Sequence, residues 1–206
     1  MPYTDFDVPT VETRFGVQVV PGTVFPALTA VPVPVWLTEL LARGTQLRVE
    51  SEKARNEFIV APILLAVREL SNNAVGIFSG ERFDVDSSVG LSGECDFLLT
   101  LSAPVPIIRA PVIFVVEAKK QDIASGIGQC AAQMIAARRF SLRNGRPLAR
   151  VYGCVTTGED WQFLRLDDSV ITYDTTRMYR SNLDRILAAF LHAIIENVAL
   201  MATPAS

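Results

Sequence analysis

The run Val112–Val116 constrains the fold more than any other stretch: four β-branched residues and one phenylalanine stand consecutively, with no polar side chain among them. A run of this kind is a strand buried on both faces, placed at the centre of a sheet. Glu117, Ala118, Lys119 and Lys120 follow directly. Side chains alternate along a strand, so Glu117 and Lys119 share one face and Lys120 takes the other. The most deeply buried strand thus delivers a carboxylate and an ammonium group to its own end.

Around this strand the apolar periodicity switches between that of helix and that of sheet. Phe58, Ile59, Ile63, Leu64, Val67 and Leu70 fall at helical spacing within Leu47–Leu70, and Pro62 predicts a kink or break near Ala61. Ser71–Asn73 ends that helix. Glu81–Asp86 alternates as a strand, Glu94–Ser102 reads as a second, and Pro104 and Pro106 mark the loop before the central strand. Asp122–Arg139 is helical, with Ile123, Ile127, Ala131, Met134 and Ile135 as its apolar stripe. Two strands, joined by a turn at Gly158-Glu159-Asp160, and a strand-like piece come next. A last helix runs from a cap at Ser181 or Asn182 to about Met201, with Ile186, Phe190, Ile194 and Val198 facing inward. This order predicts an α/β domain with one central sheet.

The N-terminal part reads differently. Val19–Leu37 is uncharged and long enough to span a bilayer, but Pro21, Pro26, Pro32 and Pro34 argue against a membrane helix. An extended Pro/Val-rich arm with a short helical turn is expected over residues 1–45, lying on the domain or on a partner chain as a route to homo-oligomers. The α/β domain is expected over residues 46–206.

Composition narrows the chemistry. Half of the 206 residues are apolar and a fifth are charged, as in an ordered globular protein. The net charge of −3 means that any nucleic-acid contact must rest on a local basic surface. Cys95, Cys130 and Cys154 are odd in number and far apart, which speaks against a zinc site or a disulfide framework and fits a reducing cytoplasm. His192 is the only histidine, so serine triads and histidine-based zinc sites lose their usual members. Hydrolysis by this chain has to rest on carboxylates, lysine and a metal ion.

Asp96, on the strand before the central one, supplies the second carboxylate. If Asp96 and Glu117 share a face, two anions at ~4 Å and an effective dielectric of ~20 repel by about 4 kcal/mol. A cation between them, or a retained proton, relieves the repulsion. Oxygen ligands select a hard ion, magnesium or manganese.

The pattern Asp96 … Glu117-x-Lys119, with its helix-strand-strand-strand-helix-strand order, resembles the PD-(D/E)XK nuclease superfamily over roughly Leu47 to Asp167. The resemblance implies a restriction-endonuclease-like core, a central mixed sheet flanked by helices in αβββαβ order. It implies a Mg-dependent nuclease acting on DNA, with RNA left open; the prolines of Val19–Leu37 separately speak against a membrane partner. Asp96, Glu117 and the main-chain carbonyl of Ala118 would hold Mg2+ or Mn2+, and Glu57 on the first helix would reach the ion through water. Lys119 would position or help deprotonate the attacking water, and Gln129, with Gln133 one turn on, would orient that water or a phosphate. Cys95 stands where the family name has proline.

Arg138, Arg139, Arg143 and Arg146 lie at and beyond the end of the helix that follows, where they are candidates to grip phosphates beside the site. Two rival readings stay open: a catalytically weak or inactive module of the same fold that binds nucleic acid or a protein, and a metal-dependent hydrolase of small phosphates.

Overall fold

The structure, a computed structural model, describes residues 2–44, 46–47, 49–102 and 105–202. Thr45, the expected domain boundary, and Pro104 of the expected loop lie outside the described residues. Among the described residues eight strands form one mixed sheet: β1 (Gln18–Gly22), β2 (Gly76–Arg82), β3 (Glu94–Thr100), β4 (Val112–Ala118), β5 (Arg150–Thr156), β6 (Asp160–Asp167), β7 (Val170–Asp174) and β8 (Met178–Tyr179). Their order is β1-β7-β6-β5-β4-β3-β2, with β8 also paired to β6. The pairs β1–β7 and β4–β5 are parallel and the rest are antiparallel.

Every residue of β4 is buried, as its composition demands. Phe114 packs on Phe190 of α6 (Leu183–Ala202), with ring centroids 4.5 Å apart. The alternate side chains of β4 face α5 (Ala124–Arg143), the crossover helix that parallel pairing of β4 with β5 requires. Helices therefore cover both faces of the central strand. Burying each such side chain contributes roughly 1.5–3 kcal/mol.

The first long helix is α3 (Glu52–Arg55) and α4 (Ala61–Leu70), joined by a π turn at Asn56–Val60. Pro62 has no N–H to give the carbonyl four residues back. The expected break near Ala61 takes the form of that wider turn, in which the Ala61 N–H bonds the Asn56 carbonyl. The strand expected at Glu81–Asp86 begins earlier, at Gly76, because Ile77 and Phe78 pair with Leu99 and Leu98. Beyond Arg82 only scattered bonds persist, such as Phe83 N–H to the Gly93 carbonyl at 2.7 Å.

Val198 of α6 is 47% exposed, not inward-facing. Steps of four residues drift by about 40° each around a helix of 3.6 residues per turn, so three steps from Ile186 rotate Val198 out of the core. Asn197 takes the inward position and is fully buried. The helix Arg180–Ala202 is long and apolar enough to cross a membrane by length and composition, yet its face from Ile186 to Ala193 packs inside this domain.

The N-terminal segment is only partly the extended arm that was expected. Val8–Phe15 forms a helix, α1, capped by Asp7, whose side chain accepts from the Thr10 N–H at 2.9 Å. β1 joins the chain's own sheet beside β7. Just after it, Val24 donates its N–H to Asp174 at 3.1 Å and its carbonyl accepts from Arg165 at 3.1 Å. Phe25 lies stacked over Tyr152 at 5.7 Å. These contacts tie residues 18–25 to the chain's own sheet. A second helix, α2 (Val35–Gly44), replaces the single expected turn at Thr38–Leu41.

Phe6 and Asp7 press so closely on α5 that a Cβ at Gly128 would lie 2.5 Å from the Phe6 carbonyl oxygen. Main chain cannot yield there as a flexible side chain would. Gly128→Ala is expected to destabilise the fold by about 1–3 kcal/mol, measured by denaturant unfolding, with an unchanged transition slope.

Candidate active site at the end of the buried strand

The register of β3 on β4 pairs Phe97 with Val116, and one step further sets Asp96 opposite Glu117. At this point the Ala118 N–H donates to Asp96 Oδ2 at 2.8 Å, a side-chain oxygen taking the bond where the main-chain pairing of β3 with β4 ends. The other oxygen, Oδ1, accepts from Asn56 Nδ2 at 3.0 Å. Asn56 sits in the π turn, so the feature that accommodates Pro62 also places a donor against Asp96.

Glu117 is only 3% exposed. Its Oε1 accepts from Lys119 Nζ at 2.9 Å and its Oε2 from Gln133 Nε2 at 2.9 Å. Lys119 Nζ also donates to Gln129 Oε1 at 2.7 Å. One connected group thus joins the end of β4 to two successive turns of α5. Glycine makes the approach possible: a Cβ at Gly126 would lie 3.1 Å from Lys119 Cγ and Cε and 2.6 Å from Val155. The stem of Lys119 crosses α5 where that helix has no side chain.

The electrostatics follow from burial. Desolvation, then the negative charge of Asp96, pushes the Glu117 carboxyl up to about 7, against the pull of Lys119 and Gln133. Asp96 is also raised, by desolvation first, while the Ala118 N–H and Asn56 pull it down. Among the described residues a single ammonium group, that of Lys119, faces the two carboxylates. Asn56 Oδ1 and Gln133 Oε1 are buried acceptors without a donor among the described residues. Both observations fit a hydrated hard cation, which supplies charge to the carboxylates and water donors to the orphaned oxygens. Among the described residues no three Asp, Glu, His or Cys side chains converge as a metal-ready group. Magnesium tolerates that, because it is commonly held by one or two carboxylates and keeps several waters.

Of the residues singled out from the sequence, Asp96, Glu117, Lys119 and Gln129 come together, and Ala118 lies between them. Among the described residues Glu57 pairs elsewhere. Its carboxylate pairs with Lys53 at 3.9 Å on an exposed helix face and lines a groove of about 730 Å³ between α2, α4 and β2. Its neighbour Asn56 makes the contact to Asp96, since adjacent helical residues point about 100° apart. Glu52, one turn earlier, accepts from the Lys120 N–H at 3.0 Å and adds negative charge near Asp96. The four-residue spacing of Glu52 and Asn56 puts both on one helix face, but packing alone turns that face to Asp96.

The arginines stand apart from this centre. Arg138 lies roughly 14 Å along the helix axis from Gln129, and Arg143 roughly 21 Å. Arg138 donates to the Asp168 carbonyl, Arg139 stacks over Phe15 at 5.2 Å, and Arg143 pairs with Asp86 at 3.1 Å. Arg146 is exposed beyond the helix end. Arg138, Arg139 and Arg143 brace α5 against its surroundings, down the helix from the carboxylate pair. The three cysteines are free and buried, Trp161 is fully buried, and His192 lies edge-on to Phe25 at 5.5 Å.

A carboxyl raised on folding stabilises the fold below its unfolded pKa, and that contribution is lost as pH rises through the folded value. For Glu117 the window runs from about 4.5 to about 7. In metal-free buffer, wild type is expected to lose on the order of 3 kcal/mol relative to Glu117→Gln between pH 4.5 and 7.5. Urea unfolding of both proteins across that range checks it, and parallel pH profiles would refute it.

No family model matches the chain. Crinkler effector protein 1 of Rhizophagus irregularis is 30% identical over 141 residues, covering 64% of this chain and 28% of the relative. The chain thus spans little more than a quarter of the length of the curated protein it matches.

Proposed function

We propose that the chain is a metal-dependent nuclease that hydrolyses phosphodiester bonds of DNA, on a restriction-endonuclease-like core. The observation that carries the reading is the single hydrogen-bonded group Glu117–Lys119–Gln129, set opposite Asp96 at the end of the buried strand. The succession of the α3–α4 helix, β2, β3, β4, α5 and β5 supports the αβββαβ core. The buried free cysteines support a reducing, cytoplasmic setting.

Asp96, Glu117 and the Ala118 carbonyl would hold a hard divalent ion. When bound, such an ion lowers the pKa of water and offsets charge on a phosphoryl group in displacement. The chain's own residues do the rest. Gln129 fixes the Lys119 ammonium beside Glu117, where it can hold a water or a phosphate oxygen. Asn56 and Gln133 keep the two carboxylates apart and oriented. The fold walls the group off from bulk solvent on the α5 side, which strengthens each of these interactions.

The resemblance to a protein named an effector covers a minor part of that protein, so the proposal concerns this domain alone. One observation favours the second reading, a non-catalytic binding module of the same fold. Each oxygen of Asp96 and Glu117 already accepts a hydrogen bond from the chain.

Nicking of supercoiled plasmid and cutting of labelled oligonucleotides with magnesium, manganese or EDTA separates the two. Wild type is expected to cut only with metal, and Asp96→Ala and Lys119→Ala to lose at least a hundredfold while staying folded. Gly126→Ala, which changes no ionisable group, is expected to lose at least tenfold by displacing Lys119. Magnesium is expected to raise the melting temperature of wild type more at pH 7.5 than at pH 5, because ion binding needs both carboxylates ionised. A folded wild type that neither cuts nor responds to metal would leave the binding module.

A further inference from the structure

We propose that a polar cleft lined by Arg55 and Thr157 binds a second phosphate of the substrate strand, next to the one attacked, with Arg55 as its principal ligand. The proposal rests on the nucleolytic reading above. The cleft has a volume of about 320 Å³, room on the order of ten waters, and is lined by Arg55, Thr157, Glu159 and Arg180 with the apolar Leu47 and Ile59.

Two separate segments tie it to the catalytic centre. Arg55 precedes Asn56, the partner of Asp96. Thr157 follows Thr156, whose carbonyl accepts from the Lys119 N–H at 2.8 Å. The cleft and the catalytic centre thus share the Arg55-Asn56 and Thr156-Thr157 segments.

The charges select an anion. Arg180 is matched by Glu159, with both guanidinium–carboxylate contacts at 3.0 Å. Among the described residues no carboxylate pairs with Arg55. Arg55 Nη1 donates to the Thr157 carbonyl at 2.8 Å, which fixes the plane of the guanidinium. Its Nε is buried and has no acceptor among the described residues. A guanidinium held by one bond, with an unused buried N–H, is a fork prepared for phosphate oxygens. Two arginines against one glutamate leave the lining positive by one charge in a chain whose formal net charge is −3.

Two probes distinguish a strand phosphate from a free one: inorganic phosphate, and a dinucleotide with one internal phosphodiester. Each is titrated in metal-free buffer into wild type, Arg55→Gln, Arg55→Lys and Arg185→Gln, the last changing an exposed α6 charge as a control. The Arg55 Nε–H resonance of wild type is followed alongside.

The expected result is a shift of that resonance by the dinucleotide and at least tenfold weaker dinucleotide binding by Arg55→Gln. Arg55→Lys should fall between, and Arg185→Gln should stay within twofold of wild type. If Arg55→Gln fails to fold, the resonance shift in wild type decides. No shift, or equal affinity of wild type and Arg55→Gln, overturns the proposal. Arg55-dependent binding of inorganic phosphate but not of the dinucleotide overturns the strand assignment. Arg55-dependent dinucleotide binding by a protein that cuts nothing supports the cleft and removes only the nucleolytic reading.

Discussion

The Glu117 carboxylate has been taken almost wholly out of water at the end of the most buried strand, with Asp96 opposite. Desolvation and like charge act together to favour its protonated form. What holds the arrangement is a small set of donors, Lys119 and Gln133 on Glu117, and Asn56 and the Ala118 N–H on Asp96. They come from both helical layers and from the strand itself. The sheet, its two covering layers and the π turn are all needed to bring those donors to two carboxylates.

Close approach is the second requirement, and glycine provides it. Gly126 lets the stem of Lys119 cross α5, and Gly128 lets Phe6 and Asp7 lie against the same helix. On the β5 side, a Cβ at Gly153 would lie 2.5 Å from Met134 Sδ. α5 is thus seated on β4 and β5 closely enough for Gln129 and Gln133 to reach the charged pair.

Much of the fold was legible in the sequence because buried strands and amphipathic helices repeat at different periods. The central strand, the hairpin of β5 and β6, the helix after the motif and the last helix all follow from that. The errors have local causes. Val198 was misplaced by stepping four residues at a time along a helix of 3.6. β2 begins before its alternation is clear because Ile77 and Phe78 gain order from pairing with β3. The N-terminal segment carries too little periodicity to announce α1, and β1 exists as a strand because β7 offers it an edge.

The sequence by itself determined which strand is central, that its end carries Glu117 and Lys119 on one face, and that Asp96 is the acid available on the strand before. Those are consequences of period-two alternation and of apolar runs, which are local. Only the tertiary structure decided that Asn56 and not Glu57 meets Asp96, that the α5 arginines lie far down the helix from the site, and that Arg55 and Thr157 line one cleft. Each of these depends on the rotation of one helix about its axis, or on its position along the sheet. Packing between elements sets those quantities, and nothing in a single element's periodicity specifies them.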